Sequence, residues 1–163
     1  MKSKFSGWAY FVAFYALLFT LILLFCILSD LIFNNVLPIY FYLIVNVFVI
    51  FVWLWAVFGE LRKKVISIEI GYDHLTIKRY LGFGRPETFY FDRIDGYKTS
   101  ILASSATLYE YLYIIAGDKK IAKLSEYYHK NYADLKQMLT DEKFKNLGFE
   151  EYSSTRELKE IFT

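Results

Sequence analysis

Two histidines, one cysteine, a glycine-flanked loop and a short run of cations are the residues of this 163-residue chain whose types could do chemistry. His74 and His129 are the only histidines, and neither sits in a spaced metal-ligand motif. His74 follows the Gly71-Tyr72-Asp73 turn and reads as an exposed side chain. Gly82-Phe83-Gly84 is no dinucleotide fingerprint, because Arg85-Pro86 follows at once and the context is strand–loop–strand. A tight hairpin loop accounts for it. Asp92 and Asp95 flank Arg93 and Ile94 near a strand end, a spacing that reads as solvated turn residues rather than a catalytic pair. No catalytic residue, metal site or cofactor is expected from this inventory.

Binding chemistry is the class that remains. Lys78 and Arg79 end one strand and Arg85 lies in the next loop, so three cations are placed to grip an anionic head group or a nucleotide phosphate. Ordinary charge on an exposed strand explains the same residues. From residue 60 onward 17 basic side chains face 16 acidic ones, so composition offers no polybasic surface and no nucleic-acid polymer is expected as a partner.

The elements that must position these residues divide the chain in two. Phe5 to Gly59 is a run of 55 residues with one charged side chain, Asp30. It is too long for one membrane span and fits two, Trp8 to Leu28 and Ile39 to Phe58, each of about 20 residues or roughly 30 Å of helix. Ser29-Asp30, Asn34-Asn35 and Pro38 supply the polar and helix-breaking residues of a turn. A cleaved signal peptide fits poorly, since no small-x-small site follows the first span and a second span comes directly. Cys26 sits inside a span behind Phe25, which offers neither a disulfide framework nor a lipoprotein cleavage site.

Lys2 and Lys4 precede the first span, Arg62, Lys63 and Lys64 follow the second, and the intervening loop has no basic residue. The positive-inside rule therefore puts both ends in the cytoplasm, with the protein integral to the inner (cytoplasmic) membrane. Trp8, Trp53 and Trp55 fall near that interface. Thr20 and Asn46 interrupt the spans at matching depth, twelve positions from the cytoplasmic ends, and are expected to make helix–helix contacts.

Beyond the spans the period changes to two. Ile66, Ile68 and Ile70 alternate with Ser67 and Glu69, Leu75 and Ile77 with Thr76 and Lys78, and Phe89 and Phe91 with Thr88 and Tyr90. Tyr97 to Leu102, Leu108 to Ala116 and Ile121 to Leu124 read as three further strands, the last two turned by Gly117-Asp118. Tyr132, Leu135, Met138 and Leu139 then recur at helical spacing behind Asn131 as N-cap, predicting a helix over about 132–140.

This order resembles the bacterial pleckstrin-homology-like (PH-like) domains carried by membrane proteins. The matching features are the Ile66-Ser-Ile-Glu-Ile70 and Leu75-Thr-Ile-Lys78 hairpin, Glu87-Thr-Phe-Tyr-Phe-Asp-Arg-Ile94, and Gly117-Asp-Lys-Lys-Ile121 followed by Asn131-Tyr-Ala-Asp-Leu135. The resemblance spans about half the chain and implies a fold, not a chemistry. The expected architecture is thus a two-helix transmembrane hairpin in residues 1–64 and a small mainly-β PH-like barrel in 65–147. A tail in 148–163 follows, with a short helix behind the Ser154–Glu157 capping box. The expected function is a non-catalytic, membrane-anchored scaffold that binds a protein partner or itself, and through Lys78, Arg79 and Arg85 an anionic ligand. The alternative is a two-span β-barrel effector of antiphage defence, which senses a cyclic nucleotide and oligomerises to disrupt the membrane.

Overall fold

Long apolar runs form the two long helices. In this computed structural model residues 1–32, 39–103, 107–117, 119–140, 144–153, 155 and 159 are described. Helix α1 spans Gly7–Ile32 and α2 spans Ile39–Leu54. Trp55–Leu61 prolongs α2 as a π-helical turn, closed by Arg62 N–H donating to the Val57 carbonyl (3.0 Å) and Val65 N–H to the Glu60 carbonyl (3.0 Å). Two stretches, Gly7–Cys26 and Leu43–Leu61, are long and apolar enough to cross a membrane. Leu17, Phe25, Leu43, Ile44 and Phe48 all turn outward. Ser29 and Asp30, expected in the turn, belong to α1 instead, because neither breaks a helix as proline does. Asn34, Asn35 and Pro38 lie outside the described residues.

The rest of the chain folds into two small sheets and a helix. Strands β1 (Ser67–Ile70), β2 (His74–Lys78) and β3 (Pro86–Tyr90) make one antiparallel sheet in that order. The second contains β4 (Gly96–Ala103), β5 (Leu108–Ala116), β6 (Lys119–Ser125) and β7 (Asn146–Phe149), ordered β6-β5-β4-β7, with helix α3 (Tyr132–Thr140) between β6 and β7. Alternation sets which faces meet: Ile68 opposes Ile77 and Ile70 opposes Leu75. Leu112 opposes Leu124. These side chains, with Leu135 and Leu139 of α3, share one buried core. Lys136 ties α3 to β5 through both oxygens of Glu110 (2.8 Å each).

Strand β7 was not expected. It runs parallel to β4, and the Tyr97 N–H donates to the Lys145 carbonyl (2.9 Å) where the two strands meet. Gly96 permits that approach: its φ is +155°, and a Cβ there would stand 2.2 Å from the Lys145 oxygen. Of the helix expected behind the Ser154–Glu157 capping box, Thr155 and Lys159 are described and are helical, and the two capping residues lie outside the described residues.

A second unexpected element precedes the first helix. Residues 1–6 run back along the edge of β1 as a strap. The Ser3 N–H donates to the Ile68 carbonyl (2.8 Å), Ile68 N–H to Ser3 Oγ (2.9 Å) and Ile70 N–H to the Met1 carbonyl (2.7 Å). Further along, Ser6 N–H donates to the Tyr128 carbonyl (2.9 Å), and Lys130 N–H to the Lys4 carbonyl (2.8 Å). The Asn131 side chain, expected to cap α3, instead accepts from Lys4 N–H (2.7 Å) and donates to the Lys2 carbonyl (3.1 Å). The strap thus joins the β1 edge of one sheet to the segment leaving β6 of the other.

Ser3→Ala removes the acceptor of a fully buried amide. It is expected to lower unfolding free energy by about 1–3 kcal/mol, read from denaturant melts of the full chain in detergent. A change under about 0.5 kcal/mol, the level of an ordinary surface substitution, would show that the strap does not hold β1.

Candidate functional site

Where the helices meet the sheets, apolar packing and one short polar chain fix the geometry. Ala9, Val65 and Tyr128 are buried together, with Phe5, Val12, Leu61, Leu81 and Tyr127 packed against them. The Trp8 indole stacks on Tyr127 at 5.3 Å between ring centroids. Glu60, in the π turn, accepts from Tyr128 Oη (2.6 Å) and from Lys64 Nζ (2.7 Å). Burial first, and the Glu60 carboxylate second, push the Tyr128 hydroxyl far above its ordinary pKa, so it serves as a fixed donor. A π turn accommodates an extra residue without ending the helix, and such turns recur where a side chain must be re-aimed.

Leu81 reaches this cluster from the loop between β2 and β3. Tyr80 and Leu81 have φ values of +53° and +57°, a conformation that costs non-glycine residues on the order of 1–3 kcal/mol each. The Leu81 N–H donates to the Val65 carbonyl (2.9 Å), and the side chain packs among the helix ends, which holds the strained turn in place.

His129 is the buried polar residue of the junction. Its Nε2 donates to the Ile66 carbonyl at 2.9 Å, and its Nδ1 lies 3.3 Å from the Ser125 N–H and 3.0 Å from the Ser125 carbonyl. Two nearby carbonyls favour the imidazolium. Burial opposes it more strongly, so the pKa falls below the ordinary histidine value and the ring is neutral. His74, by contrast, stands at the start of β2 with Nδ1 2.8 Å from Asp73. Asp95 caps a turn by accepting from Gly117 N–H (2.6 Å), and Asp92 lies exposed in the turn at Phe91–Arg93.

The three cations expected to share a ligand are separated. Successive residues at a strand end point to opposite faces, so Arg79 and Lys78 enter different clefts. Lys78 lines one of about 460 Å³ with Lys2, Lys4 and Lys130. Arg79 lines another of about 670 Å³, where its guanidinium meets Glu87 at 3.1 and 3.3 Å. Arg85 is exposed and lines neither cleft.

The larger cleft gathers cations that sequence reading had not grouped. Among the described residues, Arg62, Lys63, Arg79, Lys119, Lys120 and Lys123 line it, against the single carboxylate of Glu87. A β-bulge explains how β6 supplies two of them. Ile115 opposes Lys120 and Tyr113 opposes Lys123, leaving Ile121 unpaired, so two lysines three positions apart share one face. Lys123 Nζ lies 4.2 Å over the Tyr111 ring and Lys120 Nζ 4.3 Å over Tyr113. Lys120 also pairs with Glu150 (2.8 Å) from the segment after β7, and Tyr152 stacks against Tyr111. Lys123 is only 7% exposed yet still borders the cleft.

Within the helices, Trp53 Nε1 donates to Thr20 Oγ1 (2.8 Å), which in turn donates to the Ala16 carbonyl (2.8 Å). This bond joins α2 to α1. Asn46 is half-buried on α2. Among the described residues no group of three His, Cys, Asp or Glu side chains is placed to hold a metal ion.

Comparison with protein-family models, with curated proteins and with solved structures finds no match for this chain.

The burial of His129 predicts a pH dependence of stability. The unfolded ring takes its proton near the ordinary value of about 6.5, the folded ring only at lower pH. Stability is therefore full above about pH 6.5 and falls as pH drops below it, until the folded pKa is passed. The melting temperature of the full chain in detergent should decline between about pH 7 and about pH 5, and His129→Gln should flatten that decline. An unchanged slope in the variant would transfer the effect to carboxylates.

Proposed function

We propose that this chain is a membrane-anchored, non-catalytic binding module of the PH-like kind. Its two helices span the cytoplasmic membrane, both chain ends face the cytoplasm, and the two-sheet domain is displayed at that surface to a partner protein or a second copy of the chain. The observation that carries this reading is the junction. The domain is held against the helix ends by the strap, by Glu60–Tyr128 and by the Trp8–Tyr127 stack. A domain so placed has its position relative to the bilayer set by its own packing, as suits a fixed platform. Basic residues flanking both spans at this end, Lys2, Lys4, Arg62, Lys63 and Lys64, support the cytoplasmic orientation. Two large apolar side chains stand out from the platform, Tyr72 at 97% and Phe83 at 91% exposure, and are natural contact points for a partner.

A second reading, the two-span effector, has one observation in its favour. The strap leads directly into α1, and the π turn joins α2 to β1, so a rearrangement of the sheets would reach both spans at once. An effector of that kind arrests growth when its ligand is supplied; a platform does not.

Orientation is tested with Tyr72→Cys in a Cys26→Ser background. A membrane-impermeant maleimide should label it only after the cytoplasmic membrane is opened; labelling of intact spheroplasts would reverse the topology. A photo-crosslinking residue at Phe83 should give a discrete adduct in native membranes, whether homodimer or heteromer. Absence of any adduct from both Phe83 and Tyr72 would leave the platform without a partner.

A further inference from the structure

We infer that the end of the second sheet where β4 leads into β5 is a membrane contact additional to the two helices, resting in the interfacial layer of the bilayer beside α1 through Ile101, Leu108 and Tyr109. This rests on the helices spanning a bilayer, as proposed above, and holds for either orientation. Thr99 to Tyr109 is a run of eleven residues without a charged side chain, the longest beyond residue 60. Core packing does not account for it, because Leu108 is 65% and Ile101 45% exposed. Ala103 stands opposite Leu108 and Ile101 opposite Glu110, so Ile101 and Leu108 are diagonal neighbours on one face. Apolar side chains exposed side by side mark a surface that meets another apolar phase.

The fold carries this end to the level of the bilayer. Ser6 N–H reaches the Tyr128 carbonyl just before α1 starts, and Glu60 of the π turn accepts from the Tyr128 hydroxyl. Both apolar helices therefore leave the domain beside the end of β6. Strand β5 is antiparallel to β6 with Tyr111 opposite Ser125, so β5 begins at that same end. Leu108 stands three residues further out, about 10 Å of strand. Ring contacts complete the path. Tyr109 packs edge-on against Tyr127 (5.0 Å between centroids), Tyr127 stacks on Trp8 (5.3 Å), and Trp8 meets Phe11 (5.5 Å). Trp8 and Phe11 belong to the apolar stretch Gly7–Cys26 and are both exposed. The strand ends are thus continuous with the outward surface of α1, which argues for lipid as their neighbour. Tyrosine and tryptophan, apolar in body and polar at the tip, suit the layer between acyl chains and water. Glu110, where the uncharged run ends, is held back on the domain by Lys136 of α3 at 2.8 Å.

Single cysteines in a Cys26→Ser background of the full chain test this. They are placed at Leu108, at Ile101, at Leu17 (ten residues, about 15 Å, into α1) and at Tyr72. The strap sets Met1 beside Ile70 and Ser3 beside Ile68, so Tyr72 lies at the end of β1 away from the helices. Each cysteine carries an NBD fluorophore, in vesicles of phosphatidylcholine and phosphatidylglycerol whose lipids are spin-labelled either near the headgroup or deep in the acyl chain. Fluorescence at Leu108 and Ile101 should be lost mainly to the shallow label, and at Leu17 mainly to the deep one. Tyr72 should respond to neither, only to iodide in the water. Quenching at Leu17 with none at Leu108 and Ile101 overturns the inference and leaves the spans standing. Blue-shifted emission at Leu108 without lipid quenching gives the surface to a protein neighbour, and equal quenching at Tyr72 and Leu108 removes any special role of this end. An unquenched Leu17 removes the spans and the inference with them.

Discussion

The open edge of β1 is the constraint on which the arrangement depends. A strand edge exposes N–H and C=O groups that must find partners, and an uncovered edge invites pairing with another chain. Here the cover is local to the molecule but remote in sequence: Ser3 and Met1 satisfy Ile68 and Ile70. Because those residues stand immediately before α1, covering the edge also brings α1 to the domain. One set of hydrogen bonds thus closes the sheet and positions the first helix.

The same constraint decides how the two halves of the chain relate. A short connection between helix and domain limits reach without setting an angle. The strap adds a second connection, from Ser6 to the segment after β6, while Glu60 joins Tyr128 to the exit of α2. Two attachments at separate points restrict rotation as well as translation. A domain cut from the helices at residue 60 would lose the strap and leave the buried Ile68 amide without its serine acceptor, so the domain and the hairpin are one structural unit.

Local periodicity carried the strands from β1 to β6, the helix α3 and the two apolar helices, because each buries one face and its pattern follows from that. What escaped it was long-range. Strand β7, Asn146-Leu-Gly-Phe149, is too short for its single alternation to stand out, and its pairing with β4 depends on Gly96 accepting a neighbour more than forty positions away. Lys2 and Lys4 read as topology signals, and nothing in their types announced that their backbones would pair with residues near 69 and 130. His129 had no motif; its burial comes from the strap and the Ile66 carbonyl closing over it. For the site, Arg79 was legible as a candidate, whereas its neighbour Lys78 lines a different cleft and Arg85 lines neither.

The remaining cleft residues were hidden by two irregularities of the same kind. A regular strand would send Lys120 and Lys123 to opposite faces, and the bulge at Ile121 brings them together. A regular α-helix through Trp55–Leu61 would turn Glu60 and the basic residues behind it to different bearings, and the π turn changes that by one residue's rotation. Each departure gives up some regular hydrogen bonding, and each sits on an element that delivers cations to one cavity. The bulge also serves the core, because it lets Ile121 pack with Ala122 and Leu124 where a regular strand would turn Lys120 inward. One irregularity on β6 thus meets two demands at once: Ile121 goes inward, and Lys120 and Lys123 are kept together on the opposite face beside the cleft.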